Sequence, residues 1–263
     1  MNFRLLAASP WLAALATMIL GATRFGATSD VAARLALDVV RVFAVAGCLA
    51  AATSFEPGER LRRAWSLHAA CALLLFARDM TLVAVARGWH PPLGVAAATN
   101  VLVLSANVFA VTGTWLFART WRIARIELPG SAVHRYVAVG LALVVGVGIT
   151  GGALLGDLRA ARGGDLQGLA DFCTRVPDVI ELCLIAPVVL TAVAMGAGVL
   201  RWPWGLFATS LVCWLFYDAA EVLGHLLGIA PAAIRIPREA LRTLAVAYLG
   251  AAGFAQRLVT RPP

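Results

Sequence analysis

Apolar residues in this chain come in blocks long enough to cross a lipid bilayer. Eight such blocks, over residues 4–22, 31–53, 65–86, 94–118, 136–156, 178–200, 204–227 and 238–256, take up most of the 263 residues. Roughly 20 residues in a helix span a ~30 Å hydrocarbon core. A backbone in lipid has no water to bond, and a helix satisfies every N–H and C=O within one segment. The expected fold is therefore all-α: a polytopic transmembrane helical bundle of about eight helices, forming a single integral membrane domain over residues 1–263. Composition agrees, with 61% hydrophobic and 14% charged residues, against roughly 45–50% and ~25% in soluble domains. The first block resembles a signal peptide. Pro10 and Trp11 interrupt it and no small-residue cleavage site follows, so it reads as a retained first helix.

The net charge of +8 comes entirely from arginine, because the chain has no lysine. No side chain can form a Schiff base, which excludes retinal and pyridoxal phosphate as cofactors. Arginine sorts to alternate ends of the blocks. One side holds Arg4, Arg60, Arg62, Arg63, Arg119, Arg122, Arg125, Arg135, Arg201, Arg257 and Arg261. The other holds Arg24, Arg87, Arg159, Arg162, Arg175, Arg235 and Arg238, diluted by Asp30, Asp157, Asp165 and Asp171. The positive-inside rule makes the first side cytoplasmic, with both termini there, and it accounts for the basic charge without nucleic acid. Arginine-for-lysine usage and short loops point to a bacterial cytoplasmic (inner) membrane. The longest outer connection, Asp157–Pro177, carries Leu166, Leu169 and Phe172 at helical spacing. It is expected as a short helix lying on the membrane surface or as an ordered connector. Cys48, Cys71, Cys173, Cys183 and Cys213 form no CxxC or Cys/His pairing.

Two helix pairs look alike. From Asp38 the chain reads DVVRVFAV, then RLRRAWSLHAACALLLF, and reaches Asp79; from Asp178 it reads DVIELCLI, then LRWPWGLFATSLVCWLF, and reaches Asp218. The separations are 41 and 40 residues, and Arg62, Trp65, Leu67 and Ala69 align with Arg201, Trp204, Leu206 and Ala208. A duplication with halves 1–130 and 131–263 is expected. A four-helix unit begins and ends on the same side, so this would be a parallel 4+4 internal repeat. Chance similarity between Leu/Ala-rich helices is the alternative.

Ionisable groups inside a span are costly and usually face the bundle interior or a water-filled cavity. Here most share one depth near the outer leaflet: Asp38, Arg41, Arg78, Asp79, Asn100, Asp178, Glu181, Asp218, Glu221, His225 and Arg242, with Glu239 beside them. At ~1.5 Å per residue they lie from the outer interface to roughly 10 Å below it. Asp218, Glu221 and His225, spaced i, i+3, i+7, share one helix face and suit a divalent cation, although a single His is a weak zinc signature. Three readings follow. The groups are structural ion pairs; or they bind a ligand, proton or metal ion reached from outside; or Glu221 or Asp218 acts as a general base with His225 in a lipid-modifying, hydrolase-like enzyme. His68, near the inner end of its block, stands apart from this cluster. The expectation carried forward is a multi-pass inner-membrane protein that binds a small ligand or cation in a polar intramembrane pocket, as a sensor or transport component. An enzyme is one alternative, and an accessory subunit with a membrane or cytoplasmic partner protein is another.

Overall fold

The computed structural model describes residues 3–22, 27–90, 93–120, 127–195 and 198–260, so Arg24, Arg122, Arg125 and Arg261 lie outside the described residues. The described residues form eight helices and no strand: α1 (Phe3–Ala22), α2 (Ala27–Ala52), α3 (Arg60–Ala86), α4 (Leu93–Ala118), α5 (Ala132–Arg162), α6 (Leu166–Ala194), α7 (Arg201–Leu226) and α8 (Pro231–Thr260). Seven of them, α1 to α7, are long and apolar enough to cross a membrane. The exception is α8, whose first turns carry Arg235, Arg238, Glu239 and Arg242. Its remainder is rich in alanine and buried, from Ala240 through Leu244 to Ala255, and packs against α1, α2 and α7. A helix surrounded by other helices needs no uniformly apolar surface.

Six helices close a ring. α2 packs on α3, α3 on α4, α4 on α6, α6 on α7, α7 on α8, and α8 back on α2. α1 lies outside against α8 and α2, and α5 outside against α6. The α2–α8 contact is backbone on backbone: a Cβ on Gly47 would overlap the Gly250 carbonyl, and one on Gly253 would overlap the backbone of Gly47. Small residues permit such an approach between helices. The glycines of α5 do not serve the same purpose. Gly146 approaches Leu182 of α6, but Gly140, Gly148 and Gly152 have nothing within 4 Å.

The Asp157–Pro177 connection differs from expectation. α5 continues to Arg162, the chain turns over Gly163, Gly164 and Asp165, and α6 starts at once. Gly164 takes φ +88°, a conformation glycine adopts freely. The Asp165 carboxylate accepts from the Gln167 N–H at 2.9 Å, capping α6. Leu166, Leu169 and Phe172 thus belong to the first turns of a long helix that runs unbroken through Pro177 and Pro187. Asp178 consequently sits twelve residues into α6, or ~18 Å from its start, rather than at its first turn.

Candidate functional site

The ring encloses two contiguous chambers to which all six of its helices contribute. The outer chamber, about 190 Å³, is lined by Arg41 (α2), Arg78 (α3), Asn107 (α4), Asp178 and Glu181 (α6), Tyr217 and Asp218 (α7) and Arg242 (α8). The inner chamber, about 100 Å³, shares Arg41, Leu75, Asn107, Asp178, Glu181, Leu211 and Trp214 with it and is otherwise mostly apolar, with His68, Cys71 and Ser210 also in its wall. Beyond it Trp65, Phe117, Trp204 and Phe207 close together. Trp65 meets Phe117 edge-on at 4.9 Å, Trp204 meets Phe117 at 5.7 Å, and Phe117 lies 4.6 Å from Phe207. Edge-on contacts of this kind are favourable between aromatic rings, and with Pro203 and Gln256 the four rings leave only a small hollow of about 10 Å³, so the chamber has a narrow floor.

The two sides of the cavity differ in how their charges are compensated. On one side Arg41 is locked between helices. Its Nη1 donates to Asp79 on α3, to the Leu75 carbonyl at 2.9 Å, and to Asp38 one turn away at 3.4 Å. Arg78 donates to the other Asp79 oxygen at 3.1 Å. Asp38, Arg41 and Asp79 are 2%, 2% and 1% exposed, which is tolerable only because each charge has a partner. Arg242 pairs with Glu239 on its own helix.

The opposite side is acidic, with Arg175 and Arg238 near it but bound to other carboxylates. Glu181 accepts from the Thr114 hydroxyl of α4 at 3.2 Å, and no ion pair reaches Asp178, Glu181 or Asp218 among the described residues. Neighbouring arginines are engaged elsewhere. Arg175 binds Asp157 at 2.7 Å, clamping α6 to α5, and Arg238 binds Glu221 at 2.6 Å while lying over the Tyr217 ring. Gathering several half-buried carboxylates around one cavity is unfavourable unless a proton or a cation offsets the charge.

Of the residues singled out from sequence, Arg41, Arg78, Asp178, Glu181, Asp218 and Arg242 converge on the outer chamber, and Asp38 and Asp79 support it from behind. Asn100, half-buried, lies about two turns from Asn107 along α4 and does not line either chamber. Glu221 and His225 are exposed, Glu221 at 63%, and neither lines the cavity. Of Asp218, Glu221 and His225, only Asp218 lines the cavity. Among the described residues no group of three His, Cys, Asp or Glu side chains could hold a metal ion. The structure adds residues that spacing does not reveal. Asn107 donates to the Thr174 carbonyl at 2.9 Å and joins α4 to α6. His68, 3% exposed, stacks on Phe117 and lines the inner chamber with its Nε2 unpartnered. Compared with protein-family models, with curated proteins and with solved structures, the chain has no match in any of the three, and its site is read from geometry alone.

Proposed function

We propose that this chain is a multi-pass protein of the bacterial inner membrane that binds a small polar ligand in the ring cavity, reached from the outer side, and acts as a receptor. The observation that carries this reading is the outer chamber itself. Six charged side chains, contributed by five helices, line one cavity, and four of those helices are long and apolar enough to cross a membrane. Charged groups within such helices are retained where a pathway or pocket uses them. The arginine bias between alternate helix ends supports cytoplasmic termini and an outward-facing mouth.

A parallel 4+4 repeat underlies the pocket in this reading. If α1–α4 correspond to α5–α8, the order of contacts around the ring maps onto itself, with α4 on α6 answering α8 on α2. Trp65 and Trp204, equivalent in sequence, both pack edge-on against Phe117.

Signalling is favoured over transport by two features. Beyond the inner chamber only about 10 Å³ is open among Trp65, Phe117, Trp204 and Phe207, and α6 has no unwound break despite its two prolines. The α5–α6 hairpin packs closely on itself but meets α7 more sparsely, on the edge of the cavity. A ligand bridging its acidic groups to the rest of the ring would draw the hairpin inward, biasing one packing over another.

Accessibility tests the reading. In a chain whose native cysteines are replaced by alanine, Val103→Cys, in the outer chamber, should react with a membrane-impermeant maleimide added outside intact cells. Val108→Cys, on an exposed apolar face of α4, should not. Labelling at position 103 only from the cytoplasmic face, or not at all after permeabilisation, would contradict an outward-open pocket.

A further inference from the structure

We propose that the acidic side of the cavity takes an organic cation, an ammonium or guanidinium on a small apolar body, in the place that the Arg41 guanidinium fills in the first half of the chain. The inference rests on reading the cavity as a ligand pocket and the halves as repeats. In that alignment Asp38 falls on Asp178 and Asp79 on Asp218, and between them Arg41 falls on Glu181 and Arg78 on Tyr217. The first half thus holds two aspartates and the two arginines that neutralise them. The second half keeps both aspartates, loses both cations and gains a carboxylate.

Among the described residues no ion pair of Arg41, Arg78, Arg175, Arg238 or Arg242 reaches Asp178, Glu181 or Asp218. Arg175, Arg238 and Arg242 are paired with Asp157, Glu221 and Glu239. A cation brought by a ligand would supply the missing charge between Asp178, Glu181 and Asp218. Trp214 and Tyr217 line the same chamber, and aromatic rings attract organic cations. No three-ligand metal cluster exists among the described residues.

The inner chamber indicates what the cation is attached to. Besides Arg41, Asn107, Asp178 and Glu181, which it shares with the outer chamber, its walls include Ala72, Leu75, Phe207, Leu211 and Val246, a mainly apolar lining of a size for one ring or a short branched chain. His68 borders it with a buried Nε2 that has no partner, which favours a hydroxyl or similar polar tip on that body.

Thermal unfolding of the purified full chain in detergent separates the possibilities. The probes are 2-phenylethylamine and benzylguanidine, with 2-phenylethanol and phenylacetate as the neutral and anionic counterparts. The two cations should raise the midpoint by several degrees, the shift growing with the logarithm of concentration as for any ligand of the folded state. The alcohol and the acid should leave it unchanged. Glu181→Arg, restoring the first-half arrangement, should raise the midpoint without ligand and abolish the cation shift. The isosteric Asp178→Asn/Glu181→Gln variant should abolish the shift as well. A shift with the acid or alcohol but not the cations would overturn the ligand class and leave the pocket standing. No shift with any of the four would count against both, and a cation shift surviving both variants would overturn the site.

Discussion

Arg41 is the residue on which the non-ligand side of the site depends. Its guanidinium joins α2 to α3 through Asp79 and the Leu75 carbonyl, and it also neutralises Asp38. Arg41→Ala leaves buried Asp38 without a cation and Asp79 with Arg78 alone. Breaking one partner of a buried pair typically costs roughly 3–5 kcal/mol, and unfolding in SDS–detergent mixtures should show a loss of that order. A loss below about 1 kcal/mol, the scale of an exposed pair, would mean that the triad is not a structural lock. Much of this cluster was legible in the sequence, because a charge inside an apolar block is costly and so announces itself. Asn107, Thr114 and His68 were not: neutral polar side chains carry little such penalty, and only the packing of α4 on α6 and the aromatic floor reveals their positions. Glu221 and His225 lie apart from the cavity for a geometric reason. They share a face with Asp218, but α7 ends at Leu226 and its last turns leave the ring, where both side chains are exposed.

At the scale of elements, helix number and order follow from the apolar blocks, whereas helix lengths do not. α6 begins twelve residues before Asp178 because the GGD sequence at Gly163–Asp165 makes a tight turn and cap, so the polar stretch after it is already helical. Hydropathy is blind to that distinction. It is equally blind to which glycines matter. Gly47, Gly250 and Gly253 bring α2 and α8 into backbone contact, while Gly148 of α5 stands open. Gly47→Val should therefore lower stability by roughly 1–3 kcal/mol or more, the cost of overpacking a tight contact, and Gly148→Val should be close to neutral. Equal losses at the two positions in the same unfolding assay would contradict the α2–α8 crossing.

At the scale of the molecule, the ring places a compensated ion-pair cluster opposite an acidic group whose neighbouring arginines bind elsewhere, across one cavity. The ring order could not be read from the chain, since α4 and α6 are neighbours only through tertiary packing, with α5 displaced to the outside. The arrangement gives the α5–α6 hairpin a stake in the cavity and the remaining helices the countercharges, which is how occupancy would become a change of shape.

The central claim is that the cavity holds a small molecule. Native mass spectrometry of the protein purified from its membrane tests it most directly, beside an Asp178→Asn/Asp218→Asn variant and a Glu221→Ala/His225→Ala variant. The account predicts a bound mass of small-molecule size on the unaltered chain and on the Glu221/His225 variant, and its loss from the Asp178/Asp218 variant. A bound mass lost with Glu221 and His225 but retained without Asp178 and Asp218 would contradict it.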